Sequence, residues 1–139
     1  MPVGDVDDES RQLIDTTSAA LDAAVAVTSE GNRLGDVGAA VEGVARAAGF
    51  SVVREYVGHG IGTAMHEDPE IPNYGPAGRG LRLREGLVLA IEPMLTAGKA
   101  TNRTLADRWT VVTADGSRAA HFEHTVAITD RGPEVLTKR

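Results

Sequence analysis

Two apolar, strand-like segments of this sequence each contain one isolated glutamate. The first reads LVLAIEP (residues 87–93) and carries Glu92, and the second reads HFEHTVAI (residues 121–128) and carries Glu123. An ionised carboxylate that leaves water without a partner costs several kcal/mol, so both segments call for a positive charge. His59, set between glycines at residues 58–62, is a suitable nitrogen donor. We therefore predict a divalent metal site built from one imidazole and two carboxylates.

Strand periodicity gives this prediction a geometry. Side chains alternate between the two faces of a strand, so Glu123 shares a face with Thr125, and Glu92 shares a face with Ala90. If the two segments are antiparallel neighbours with those faces aligned, both carboxylates reach the same point on the sheet. The sequence alone leaves the register of the two strands open.

Composition limits the classes of protein that remain. A chain of 139 residues with 42% hydrophobic residues can bury one domain-sized core. The absence of cysteine excludes disulfides, thiolate zinc sites and cysteine nucleophiles together. The net charge of −6, with no basic cluster, argues against nucleic acid as a partner.

The sequence also has the features of a cytoplasmic protein. Its first residues, MPVGDVDDE, lack the basic and apolar regions of a secretion signal. No apolar run reaches the roughly 18 residues that a membrane span needs. We therefore expect a cytoplasmic location and no membrane partner.

The order of predicted elements is two helices followed by a β-rich remainder, which defines an α+β fold. Apolar residues recur at helical spacing from Ser10 to Val25, and a second helix is predicted from Asp36 as N-cap to Gly49 as the stop. A short strand is predicted at Val52, followed by an ordered loop over residues 67–80. Further strands are expected near residues 87–94, 105–113, 119–128 and 134–137.

Three motifs in order make the chain recognisable. They read GHGIGTAMHEDP (residues 58–69), IEPM (residues 91–94) and FEHT (residues 122–125), and together they closely resemble type I methionine aminopeptidases. The similarity extends over nearly the whole chain. It implies the pita-bread fold, of which this chain is expected to be about the C-terminal half. Residues 1–139 would then form a single partial catalytic domain that lacks the family's N-terminal half.

The resemblance also implies a role for each of the three charged or basic residues. His59 resembles the family's metal-ligating imidazole, Glu92 a carboxylate on the same metal that also shuttles a proton, and Glu123 the carboxylate that bridges two metals. The implied cofactors are divalent ions, two per site in the complete enzyme. An oxygen-rich site with one imidazole suits Co, Mn, Fe(II) or Zn, and the sequence does not choose among them.

Three further positions are implied to contact substrate. His66 resembles the histidine that contacts the peptide near the scissile bond, a catalytic role that it would share with Glu92. Met65 and Trp109 match positions that help to line the pocket for the methionine side chain. Taken without the resemblance, core packing is the favoured explanation of Trp109 and Met65, and the wall of a substrate pocket comes next.

The implied function is removal of N-terminal methionine from nascent polypeptides by a metal-activated hydroxide. The partner would be the N-terminus of a peptide or nascent chain. The complete family site also uses two aspartates and another histidine from a more N-terminal segment, and this sequence has no matching residues. We therefore expect the chain to be impaired alone and to self-associate through its open sheet edge.

Other interpretations stay open. The chain could be a non-catalytic pita-bread module that binds partners, because fold does not fix function, or a gene fragment without independent activity. A phosphate-binding loop at residues 58–62 is disfavoured, because no glycine follows at the third spacing and no helix pattern follows. The glycines there are instead expected to let the backbone pass close to a ligand.

Overall fold

Two helices begin the fold and pack against each other. The computed structural model describes residues 2–138, and its first helix, α1, spans Asp8–Val27. The Asp7 carboxylate caps this helix by accepting the backbone N–H of Ser10 at 2.9 Å. The buried face of α1 includes Leu13 and Leu21, which belong to the face predicted from helical spacing.

The second helix, α2, spans Leu34–Ala47 and begins earlier than predicted. Arg33 is its N-cap, and Asp36 is the third helical residue rather than the cap. The Asp36 carboxylate accepts the backbone N–H of Arg33 at 2.7 Å. An acidic residue in the first turn thus satisfies a backbone donor at the helix start that has no partner within the helix. Gly49 ends the helix as predicted, with a φ of +82° that favours glycine.

Ten short strands follow within the described residues, in three antiparallel sheets. A five-stranded sheet has the order β10-β9-β4-β2-β3, a three-stranded sheet has the order β1-β5-β8, and β6 pairs with β7. The strands span β1 Ser51–Val52, β2 Gly58–Gly60, β3 Glu67–Ile71, β4 Val88–Ile91, β5 Met94–Thr96, β6 Asn102–Thr104, β7 Val111–Thr113, β8 Ala119–His121, β9 His124–Thr129 and β10 Gly132–Val135.

Two of the predicted strands are each two strands in the structure, and a third is shorter than predicted. The segment at residues 87–94 is interrupted between β4 and β5, where Pro93 has no N–H to donate to a ladder. The segment at residues 119–128 is interrupted between β8 and β9, and the segment at residues 105–113 contributes only one arm of the β6–β7 hairpin. The predicted loop at residues 67–80 was wrong at its start, because β3 pairs there with β2.

The two interruptions lie opposite each other. Ile91 pairs with His124 on one side of the break, and Met94 pairs with His121 on the other, so one register runs through both sheets. The Phe122 N–H also donates to the Pro93 carbonyl at 3.2 Å and holds the two interrupted segments together. Glu92 and Glu123 are therefore facing residues at the junction of the sheets.

The helices cover one face of these sheets, and the glutamates at the junction lie on the opposite face. Leu89 and Ile91 of β4, and Val126 of β9, are fully buried, and α1 packs against β4, β5 and β8 on this side. The alternation of side chains then directs Ala90 and Glu92 to the opposite face. The α+β fold class predicted from the sequence is confirmed.

Candidate metal centre

His59 lies on β2 and points to the face of the sheet that the helices leave uncovered. The strand pairs His59 with Ala90 of β4, and its register with β3 shifts immediately after His59. Such a bulge re-aims side chains and is frequent beside functional sites. The imidazole Nδ1 lies 2.8 Å from the Gly60 carbonyl oxygen, which can only accept. With the proton on Nδ1, the lone pair of Nε2 is free to bind a metal and lies on the side of Glu92.

The glycines beside His59 serve strand packing. A Cβ on Gly58 would collide with the Ala90 carbonyl oxygen, and one on Gly60 would collide with the carbonyl oxygen of Asp68. Neighbouring strands fill the space beside both glycines, and the expected close approach of a ligand to this backbone stays a prediction. The function of the two glycines is to let β3 and β4 close in on both sides of His59.

Glu92 lies between two imidazoles. Its Oε1 is 3.1 Å from His59 Nε2, its Oε2 is 3.5 Å from His121 Nε2, and its side chain is only 17% exposed. The buried Asn73 amide donates to the Glu92 backbone carbonyl at 2.8 Å and fixes the end of β4. This carboxylate is thus both largely withdrawn from water and faced by nitrogen atoms, as the sequence argument required.

Glu123 reaches the same point from the opposite chain. Ligand atoms of Glu92, His121 and Glu123 lie within 4.8 Å of one another, a separation that one metal ion or a pair of ions can span. Unlike Glu92, Glu123 is exposed, so the burial argument from the sequence applies to only one of the two glutamates. Glu92 thus lies close to both predicted partners, His59 at 3.1 Å and Glu123 within 4.8 Å, while the group of three mutually close ligand atoms contains His121 in place of His59. The role of His59, Glu92 and Glu123 as metal ligands stays a prediction.

His121 is a member of this group that the sequence argument missed. Its hydrogen bond with Glu92, aided by the charges of Glu92 and Glu123, raises the pKa of the imidazole, although partial burial opposes the effect. A signal was present in the sequence, because His121 precedes Glu123 by two residues and so shares its face of an extended chain.

His66 lies beside His59 at the edge of the site. The two ring centroids are 4.2 Å apart with an interplanar angle of 48°, and His66 is exposed. The turn before it is held by Glu67, whose carboxylate accepts the Ala64 N–H at 2.7 Å and the Thr63 hydroxyl at 3.1 Å. The Ala64 hydrogen bond is the main cause of a lowered pKa for the Glu67 carboxyl.

A cavity of about 620 Å³ opens next to the imidazoles. His59, His66, Glu92 and His121 form its polar end, and this volume is in the range of pockets that bind small molecules. The apolar wall is made by Val53, Val57, Met94, Val111, Val112 and Ala120. Glu55, Tyr56 and Asn102 also line the cavity, and the sequence argument had selected none of these wall residues.

Met65 and Trp109 lie outside this cavity. Met65 is 72% exposed in the turn before His66, and Trp109 is 87% exposed at the tip of the β6–β7 hairpin. Neither residue is packed in the core, so the alternative interpretation of both as core residues was wrong. Their contact with a methionine side chain remains a prediction. Neither residue forms part of the wall of this cavity.

Imidazoles and a carboxylate at the end of an apolar cavity are groups that metallopeptidase sites use. Residues 1–130 match the model of metallopeptidase family M24, and the chain belongs to that family. Methionine aminopeptidase 1 of Bacillus subtilis is 50% identical over 137 residues, which cover 99% of this chain and 55% of that protein. Methionine aminopeptidase 1 of Mycobacterium tuberculosis is 52% identical over 141 residues, covering 97% and 53% of the two chains.

A solved structure supports the same assignment. The crystal structure of methionine aminopeptidase from Thermotoga maritima superposes with a TM-score of 0.96 at 48% identity, covering 99% of this chain and 55% of that one. The predicted resemblance to methionine aminopeptidases and the pita-bread fold are confirmed. The chain spans about half the length of the curated relatives it matches. Within residues 2–138, neither helix has the length and apolar character needed to cross a bilayer.

Proposed function

We propose that this chain carries the His59, Glu92 and Glu123 part of a methionine aminopeptidase site, which removes N-terminal methionine from polypeptides. The observation that carries the proposal is the junction of the two sheets. There, His59 and Glu92 meet at the polar end of an apolar cavity, and Glu123 has a ligand atom within 4.8 Å of one on Glu92, in a chain of family M24. The 48% identity and TM-score of 0.96 to a methionine aminopeptidase support this specificity over that of other peptidases.

The residues at the junction fit a divalent metal. His59 offers a lone pair at Nε2, on the side of Glu92, and Glu92 and Glu123 offer carboxylate oxygens, a donor set that suits Co, Mn, Fe(II) or Zn. We propose two ions in the complete site, which His59, Glu92 and Glu123 would hold from this chain. When bound, such ions lower the pKa of water and polarise the peptide carbonyl.

The other groups of the chain would bind and orient the peptide. The apolar wall, in which Met94 and Val111 take part, suits an unbranched apolar side chain such as methionine. His66 stands at the cavity next to His59 and is placed to donate a hydrogen bond to the scissile peptide group. Glu92 is the carboxylate that would take a proton at Oε1 or Oε2 and return it to the leaving amine. Met65 and Trp109 are proposed to contact the substrate from outside the present cavity wall.

The remaining assignments follow from this function. Residues 1–139 act as a single partial catalytic domain, and the substrate is the N-terminus of a peptide or nascent chain. We propose a cytoplasmic location, with neither nucleic acid nor membrane as a partner. Because the chain spans about half the length of its relatives, we propose that it needs the rest of the fold for full activity.

A chimera tests the proposal directly. The chain replaces the matching segment of the Bacillus subtilis relative, and methionine release from a Met-Ala-Ser peptide is followed by mass spectrometry with Co²⁺ or Mn²⁺. We expect release by the chimera and a loss of at least about 100-fold in kcat for Glu92→Gln, because the ligand and proton carrier are removed together. The isolated chain is expected to release little or no methionine.

Two outcomes would contradict the proposal. A chimera that melts cooperatively and binds metal, yet releases no methionine, would favour a module that only binds partners. Efficient metal-dependent release by the isolated chain would show that it needs no further segment. The chimera with His124→Gln is the matched control, because His124 contacts Thr137 at 2.9 Å rather than the junction.

A further inference from the structure

We infer that His121, Glu92 and Glu123 together bind one metal ion, with His121 as a direct ligand. All three protein ligands of this site come from this chain, so the site needs no ligand from another segment. The inference rests on the metal-binding part of the proposed function and goes beyond it. It assigns a ligand that the resemblance did not supply, and it predicts that the chain binds one ion alone.

The placement of His121 follows from strand geometry. It is the last residue of β8 and pairs with Met94, two residues beyond Glu92 on the facing chain. His121 and Glu123 share a face because they are two residues apart in extended chain. Glu92, His121 and Glu123 form the only group of three potential ligands found in residues 2–138. His59 stands outside this group and faces the other carboxylate oxygen of Glu92.

The distance between His121 and Glu92 fits two ligands of one metal ion. Nε2 and Oε2 are 3.5 Å apart, at the long end of the range for a hydrogen bond between them. Two ligand atoms that each lie about 2.1 Å from a tetrahedral ion are about 3.4 Å apart. An ion could therefore enter between the two residues with little movement of either side chain.

The donor set and access define the class of ion. One imidazole and two carboxylates are three protein ligands and leave one position of a tetrahedral ion for water, as in catalytic zinc sites. Imidazole favours Zn²⁺ or Co²⁺ over Mg²⁺ or Ca²⁺, which prefer oxygen ligands alone. The His121 side chain is 46% exposed, so the ion can reach it from solvent.

Metal titration of the whole chain tests this site without any peptide substrate. Co²⁺ binding is followed by calorimetry and by visible absorption for the wild type, His121→Gln and His124→Gln. His124 is the matched control, since it is three residues away but bonded to Thr137. We expect one ion per chain, unchanged by His124→Gln, and an affinity at least about tenfold weaker in His121→Gln with altered visible bands.

Nuclear magnetic resonance of the wild type gives a second measurement, which does not depend on whether a substituted chain folds correctly. The chain has four histidines, and Zn²⁺ should shift the ring signals of His121 while leaving those of His124 in place. Equal Co²⁺ affinity in wild type and His121→Gln, no binding by the wild type, or unmoved His121 signals would overturn the inference. An inactive chimera that still binds Co²⁺ through His121 would contradict only the proposed function. An active chimera whose Co²⁺ affinity is unchanged by His121→Gln would contradict only this inference.

Discussion

At the scale of single residues, the candidate site depends on one carboxylate held between two imidazoles. Glu92 comes directly after β4, where Pro93 ends the ladder and frees the chain to turn its side chain toward His59 and His121. The sequence predicted the importance of Glu92 because a charge in an apolar segment needs a partner. It did not reveal His121, because that partner depends on which residues the register brings opposite Glu92.

Asp115 offers a test of the side-chain hydrogen bonds in the turn that follows β7. Its carboxylate accepts the backbone N–H of Lys99 at 2.8 Å and both the N–H and the hydroxyl of Ser117 at 3.0 and 2.6 Å. The Lys99 bond is the main cause of lowering the pKa of Asp115 from 3.8 to about 2.

A folded-state pKa below the unfolded one means that the ionised form stabilises the fold. The contribution of Asp115 is therefore fully present above the unfolded value of 3.8 and is lost as the pH falls toward about 2. We expect Asp115→Ala to melt at a lower temperature than the wild type at pH 7, with the difference shrinking near pH 2. Circular dichroism melts measure both, with Asp130→Ala, whose nearest cation lies at 4.0 Å, as the control. A difference that is the same at both pH values would contradict this expectation.

At the scale of elements, the packing of α2 depends on where its glycines lie. Gly38 faces the loop after β3, and a Cβ there would collide with the carbonyl oxygens of Tyr74 and Pro72. Gly43 lies on the same helix with open space around it. The two positions have the same helical backbone, so they separate the effect of helix propensity from that of packing.

We expect opposite effects of alanine at these two glycines. Gly38→Ala should lower the free energy of unfolding by about 1–3 kcal/mol, because the added methyl group forces helix and loop apart. Gly43→Ala should raise it by about 0.5–1 kcal/mol through better helix propensity. Urea unfolding of the isolated chain measures both values. Equal effects in the two variants would mean that contact with the loop does not decide the choice of glycine.

At the scale of the whole molecule, the chain exposes surfaces that a larger fold would cover. Strand β8 is an edge of its sheet beside the candidate site. Met65 is exposed in the turn before His66, and Trp109 is exposed at the tip of the β6–β7 hairpin. The chain also spans about half the length of the relatives it matches. Unpaired strand edges and exposed large apolar side chains favour association.

We expect the isolated chain to self-associate. Sedimentation velocity over a range of micromolar concentrations should show species larger than the 14.6 kDa monomer, with a proportion that rises with concentration. The chimera with the rest of the Bacillus subtilis relative is the control and should remain monomeric. A single 14.6 kDa species with one cooperative melt would rule this out.

The sequence by itself determined the two helices, the α+β class, the resemblance to methionine aminopeptidases and the importance of Glu92, because these depend on local periodicity and residue chemistry. Only the tertiary structure decided the break of two predicted strands at Glu92 and Glu123, the arrival of His121 beside them and the exposure of Trp109. These features depend on the pairing of segments distant in the chain. A shift of one residue in that register would turn each side chain to the other face of the sheet, so the partners that Glu92 and Glu123 meet are decided only when the segments pair.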